Sequence, residues 1–166
     1  MTSISPSTAV ELRTHSAEET RSLAASLAGA AQAGDRIALI GPLGAGKTQF
    51  AKGFAAGLGV RDVVNSPSFT LMAEYDGRLP LFHQDLYRLA GAEEALTGGL
   101  LDERQAEGVT LSEWADRLPS EIDPQRITVR IEVLPGDERR ITLEAAEQTQ
   151  QRYLEAAARW AATNGR

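Results

Sequence analysis

Arg36-Ile-Ala-Leu-Ile40, followed directly by Gly41-Pro-Leu-Gly-Ala-Gly46-Lys47-Thr48, sets the terms for the rest of the chain. The first five residues are an apolar run too short for a helix and stopped by glycine, which predicts a buried strand. The next eight match G-x-x-x-x-G-K-[ST] without a departure. Glycines let backbone N–H groups turn inward around a β-phosphate, and a side chain at Gly46 would obstruct that approach. Lys47 bridges β- and γ-phosphates and offsets charge as the bond between them breaks. The Thr48 hydroxyl is a Mg2+ ligand of the usual kind, and the helix it opens favours an anion at its N-terminus. Strand, loop and helix together predict a phosphate-binding loop in an α/β fold.

Working outward, Thr48 to Leu58 reads as that helix, with Phe50, Phe54 and Leu58 on one face and Gly59 as its stop. Gly53 and Gly57 inside it predict close packing against a sheet. Upstream, Ser16 and Glu19 fit a capping box for a helix running to Ala33, and Thr8 to Arg13 alternates weakly as an edge strand. Downstream, Phe69 to Tyr75 and Leu79 to Gln84 flank Asp76-Gly77, a hairpin signal. Residues 92–107 are acidic and read as helical. Val109 to Ser112 is a further short strand. Ile127 to Val133 and Arg140 to Glu144 form an antiparallel hairpin about Pro135-Gly136-Asp137. Residues 147–162 form a terminal helix, to which no role is assigned. The expectation is one domain over residues 1–166, a P-loop NTPase-like three-layer fold with a central mixed sheet and a C-terminal hairpin.

Composition narrows the function. At 166 residues, 42% hydrophobic and 24% charged, the chain is ordinary globular protein. Seventeen basic against twenty-three acidic residues gives a net charge of −6, which argues against holding nucleic acid unaided. There is no cysteine, so disulfides, thiolate zinc sites and cysteine nucleophiles are excluded. His15 and His83, the two histidines, stand too far apart in sequence to suggest a histidine-based metal site. No apolar run approaches a membrane span, and Met1 to Val10 lacks the regions of a signal peptide. A cytoplasmic protein with no membrane association is the expectation.

Turnover at a P-loop needs an acid at a neighbouring strand end. Leu81-Phe-His-Gln-Asp85 and Val109-Thr-Leu-Ser-Glu113 each end an apolar stretch in a carboxylate, and either could approach Mg2+ or its water. Ser66-Pro-Ser-Phe-Thr70 reads equally as a phosphate-sensing switch or a plain turn. His83 reads as a packed or hydrogen-bonded histidine, Trp114 as a stack near nucleotide or as core, and Arg88, Arg139 and Arg140 as surface charges more than phosphate ligands. Neither lysine, 47 or 52, lies in an N-K-x-D element, which disfavours GTP. A small-molecule kinase fits the length, although 92–107 is acidic where an arginine-rich lid would be needed.

Gly41 to Thr48, Ser66-Pro-Ser-Phe-Thr-Leu71, His83-Gln-Asp-Leu-Tyr-Arg-Leu89 and Leu111-Ser-Glu-Trp114, taken together, resemble the TsaE family of bacterial P-loop ATPases in tRNA threonylcarbamoyladenosine (t6A) biosynthesis. The spacing holds from about residue 16 to 144. The resemblance implies ATP and Mg2+ as ligands and TsaB and TsaD as partners. Those subunits carry out the transfer to tRNA, which this chain would meet only through them, while its ATP hydrolysis resets the complex. It implies nucleotide contacts at Gly44, Ala45, Gly46, Lys47, Thr48 and Gln49. Thr20 and the 135–140 hairpin would lie near adenine or ribose, and Ser68 in a switch-like loop. Thr48 and Glu113 would be Mg2+ ligands, with Asp85 supporting the metal or the water; which acid orients water stays open. Two departures stand out. Pro42 replaces a common Asp and removes one loop N–H, and Ser68 replaces a common Thr and loses a methyl.

Overall fold

Seven strands hydrogen-bond into one mixed sheet in a computed structural model that describes residues 8–67, 72–87, 103–117 and 125–164. In chain order the elements are β1 (Ala9–Thr14), α1 (Ala17–Ala28), β2 (Arg36–Ile40), α2 (Lys47–Gly57), β3 (Met72–Tyr75), β4 (Leu81–Asp85), β5 (Val109–Glu113), β6 (Ile127–Val133), β7 (Arg139–Glu144) and α3 (Gln151–Asn164). Their order across the sheet is β1-β7-β6-β2-β5-β4-β3. β2 runs parallel to both β5 and β6, and β5 parallel to β4, whereas β3, β7 and β1 add antiparallel edges. The parallel centre is α/β in kind, and its strand ends converge where the glycine loop leaves β2.

Every residue of β4 and β5 is buried, so both faces of the sheet are covered there, as a three-layer arrangement requires. β6 instead alternates buried and more open positions, with one face on the core and the other toward solvent. On the core side α1 lies between α2 and α3 and touches both.

Local chemistry sets the helix boundaries. Ser16 caps α1 by accepting from the Glu19 amide at 3.0 Å. The Glu19 carboxylate returns to the His15 amide, one residue earlier than a capping box would place it. The helix stops at Ala28, short of the expected Ala33, and tight turns lead to Gly34 at φ +94°. The expected packing of Gly53 and Gly57 on the sheet is corrected too. Their missing side chains face α1, where a Cβ on Gly53 would stand 2.2 Å from the Arg21 carbonyl oxygen. Residues 103–107 form a 3-10 turn, and the remainder of the acidic 92–107 helix lies outside the described residues. So does the start of the 69–75 strand.

The terminal helix is anchored by a polar contact rather than by apolar packing alone. Asp35, just before β2, accepts hydrogen bonds from the Tyr153 hydroxyl and the Arg152 guanidinium. Burial, with the Asp35 carboxylate beside it, pushes the Tyr153 phenol far above its ordinary 10. An acid whose folded pKa is raised supports stability fully below its unfolded pKa and loses that support as pH climbs beyond it. Tyr153→Phe is therefore expected to lose about 1.5–3 kcal/mol at pH 8, as for a bond to a charged group. Above pH 10 the gap to wild type should close by about 1.4 kcal/mol per pH unit. Urea unfolding of both proteins at pH 8, 10 and 11 measures it; a gap constant with pH would count against the phenol–Asp35 bond.

Candidate functional site

The site is built where β2, β4 and β5 end. Gly41 leaves β2, and the loop closes at Gly46, which stands at φ +110° with open space around the position of a Cβ. Glycine is needed there for the backbone angle, a constraint that holds independently of the expected steric one. Gly46 then serves as N-cap of α2, so the amides of the first turn point into the loop. The Lys47 side chain is buried inside it. Its Nζ donates to the Gly41 carbonyl at 2.5 Å and the Pro42 carbonyl at 2.9 Å, and sits 3.8 Å from the centre of the Trp114 ring. Desolvation lowers the Lys47 pKa below its ordinary value, against the opposing pull of Glu113, Asp116 and Asp85.

The two acids are brought together. β4 and β5 pair with Asp85 directly opposite Glu113, so both carboxylates rise at adjacent strand ends. Glu113 Oε1 accepts the Thr48 hydroxyl at 3.0 Å, although 65 residues separate the two. Its Oε2 accepts from His83 Nε2 at 2.6 Å. Asp85 accepts from the Ser66 hydroxyl on one oxygen and from the Tyr87 amide at 3.0 Å on the other. A cavity of about 710 Å3 joins Gly44, Gly46, Lys47, Thr48, Asp85 and Glu113. A hydroxyl and a carboxylate in contact at a helix N-terminus, with a second carboxylate adjacent, are hard oxygen donors of the set that suits Mg2+. Among the described residues no group of three His, Cys, Asp or Glu side chains could cage a metal.

A second cavity, of about 270 Å3, also borders the loop, at Gly44 and Gly46. Thr20, Ala45, Gly46, Gln49, Asp137 and Arg139 border it. Thr20 and Gln49 thus stand with the loop and the β6–β7 turn. Thr20 is held by a 2.8 Å hydroxyl contact to Thr14, and Gln49 by Arg21 at 2.6 Å. Arg139 donates to the Ala45 carbonyl at 3.0 Å and so fastens the loop, a role its surface-charge reading missed. Arg140 does pair as a surface charge, with Glu132 at 3.1 Å. Ser68, Thr70 and Arg88 lie outside the described residues. Trp114 stands at φ +56°, the one described non-glycine residue with a positive φ, and its ring meets Tyr87 with centroids 4.9 Å apart. No spacing rule in the sequence announces these two rings, nor the bond from His83 to Glu113.

A family model described as threonylcarbamoyl adenosine biosynthesis protein TsaE matches residues 14–141. The tRNA threonylcarbamoyladenosine biosynthesis protein TsaE of Bacillus subtilis is 46% identical over 134 residues, 80% of this chain and 84% of that protein. The protein of the same name from Treponema pallidum is 43% identical over 110 residues, 66% and 82% of the two chains. The crystal structure of Bacillus subtilis YdiB superposes with a TM-score of 0.72 at 38% identity, covering 91% of this chain and 95% of that one. These matches leave the small-molecule kinase reading without support. With its loop, its paired acids and its sheet order all in place, the chain belongs to the TsaE family, whose role is in the biosynthesis of threonylcarbamoyladenosine in tRNA.

Proposed function

We propose that this chain binds Mg2+ and ATP, hydrolyses ATP to ADP and phosphate, and by doing so resets a TsaB–TsaD complex that modifies tRNA. The observation that carries the proposal is the Thr48–Glu113 contact beside the buried Lys47, with Asp85 next to it. A hydroxyl, an ammonium and two carboxylates around one cavity support that reading. Each residue then has a distinct task. The amides from Gly44 to Thr48 cradle the β-phosphate at the positive end of α2. Lys47 offsets charge on the β–γ bridging oxygen as the bond to the γ-phosphorus breaks. Thr48 and Glu113 would hold Mg2+, which when bound neutralises the phosphate oxygens. Asp85, already fixed by Ser66 and Tyr87, accepts a hydrogen bond from the attacking water and aims it. Gln49, Thr20 and the β6–β7 turn contact the nucleoside, and Ser68 belongs to a loop that senses the γ-phosphate.

The family's place in t6A biosynthesis and the net charge support the reading of action on partners. An acidic chain suits docking on a surface that is basic because it binds tRNA. Phosphate release by the purified protein, alone and with a purified TsaB–TsaD pair, tests both halves. Turnover is expected to be slow alone and to rise at least about tenfold with the pair. An element supplied in trans to a P-loop site is worth about 10^3–10^5 elsewhere. Unchanged turnover together with no detectable binding to the pair would remove the partner half. No release under either condition would remove hydrolysis.

A further inference from the structure

His83 lies fully buried on β4, directly behind the Glu113 carboxylate. On the paired strands His83 faces Leu111 and Asp85 faces Glu113, and side chains two apart share a face. His83 and Glu113 are therefore diagonal neighbours. A carboxylate only accepts, so the imidazole donates its Nε2–H to Glu113 Oε2 at 2.6 Å. The other ring nitrogen, Nδ1, is buried with no hydrogen-bond partner among the described residues. An apolar ring of similar size would fill the same space without leaving a nitrogen unpaired, so packing does not account for a histidine here. What the ring does supply is one short bond to one oxygen of the acid at the centre of the site.

We infer that His83 is a positioning residue for the cation site. By holding Oε2 it fixes the soft terminal torsion of Glu113 and keeps Oε1 turned toward Thr48. This rests on the reading of Thr48 and Glu113 as the Mg2+ ligands.

The test is equilibrium binding of a fluorescent ADP analogue, measured in EDTA and across a Mg2+ titration. His83→Phe is expected to bind in EDTA as wild type does, and to need about 10–100-fold more Mg2+ for the same gain in affinity. His83→Gln places an amide N–H near the position of Nε2 and should restore the wild-type Mg2+ response. His83→Asn reaches only to the position of Nδ1 and should not. A wild-type Mg2+ response in His83→Phe would overturn the inference, as would equal losses in the Gln and Asn variants. If His83→Phe fails to fold, the Gln and Asn pair decides by itself. Glu113→Ala, run beside them, separates the two readings. If it keeps the Mg2+ response, the ligand assignment falls and takes the role of His83 with it. If it loses the response while His83→Phe keeps it, only the role of His83 falls.

Discussion

In Lys47→Ala, phosphate release from Mg2+ and ATP is expected to fall by at least about 10^2–10^3-fold, the scale for losing one preorganised charge or donor at a developing oxyanion. The side chain is buried, within reach of two loop carbonyls, and among the described residues no second lysine or arginine borders the cavity to replace it. Lys47→Arg should not rescue, because a planar fork cannot take the place of a compact ammonium in that space. Stability gives an independent readout. A lysine whose folded pKa is lowered weighs against folding at every pH below that pKa, and the penalty fades as pH rises toward 10.5. Removing it also removes two hydrogen bonds and the contact with Trp114, so the terms oppose and Tm should move by only a few degrees. Loss of turnover with an intact melting transition identifies a chemical role. Normal turnover in the alanine variant would refute the assignment of the phosphate loop.

Gly53→Ala should give a large stability loss for a single added methyl. Helix propensity alone argues the other way, since alanine in place of an interior glycine is worth about 1 kcal/mol. Here the added carbon would lie 2.2 Å from the Arg21 carbonyl oxygen and 2.5 Å from its Cα. Those are backbone atoms and cannot swing aside, so α1 and α2 must part. Overpacking costs about 1–3 kcal/mol and more when the backbone must shift; a net loss near 3 kcal/mol would lower Tm by about 6–12 °C. Function should suffer as well, because Arg21 on α1 holds Gln49 on α2, and Thr20 borders the loop from the same helix. Calorimetry on wild type and Gly53→Ala checks it. An unchanged or higher Tm would mean that the helices are not in contact at this crossing.

How much of this was legible beforehand depends on the range of the interaction. The strand–loop–helix around Gly41 to Thr48 could be read because its meaning lies in consecutive residues, as could the β6–β7 hairpin with its clean alternation. Asp85 and Glu113 could be named as strand-end acids. Their register could not, since two parallel strands 28 residues apart share no local turn that sets it. The same ignorance hid His83, which becomes a partner of Glu113 only once β4 and β5 are aligned. Gly53 and Gly57 were recognisable as close-contact glycines, yet a spacing of four says nothing about whether a sheet or a helix fills the groove. The positive φ of Trp114 is invisible too, since it runs against the residue's own preference.

The phosphate loop is complete in sequence by residue 48, long before the groups that steady it have been made. Glu113, which receives the Thr48 hydroxyl, comes 65 residues later, and Arg139, which pins the Ala45 carbonyl, comes 94 after that alanine. Strand β2 likewise lies between β5 and β6, both still unsynthesised when it leaves the ribosome. Closing such distant contacts is the slow part of forming a sheet. A half-made chain therefore carries the motif without the site, and the arrangement of Thr48, Glu113 and Arg139 becomes a mark of the finished molecule.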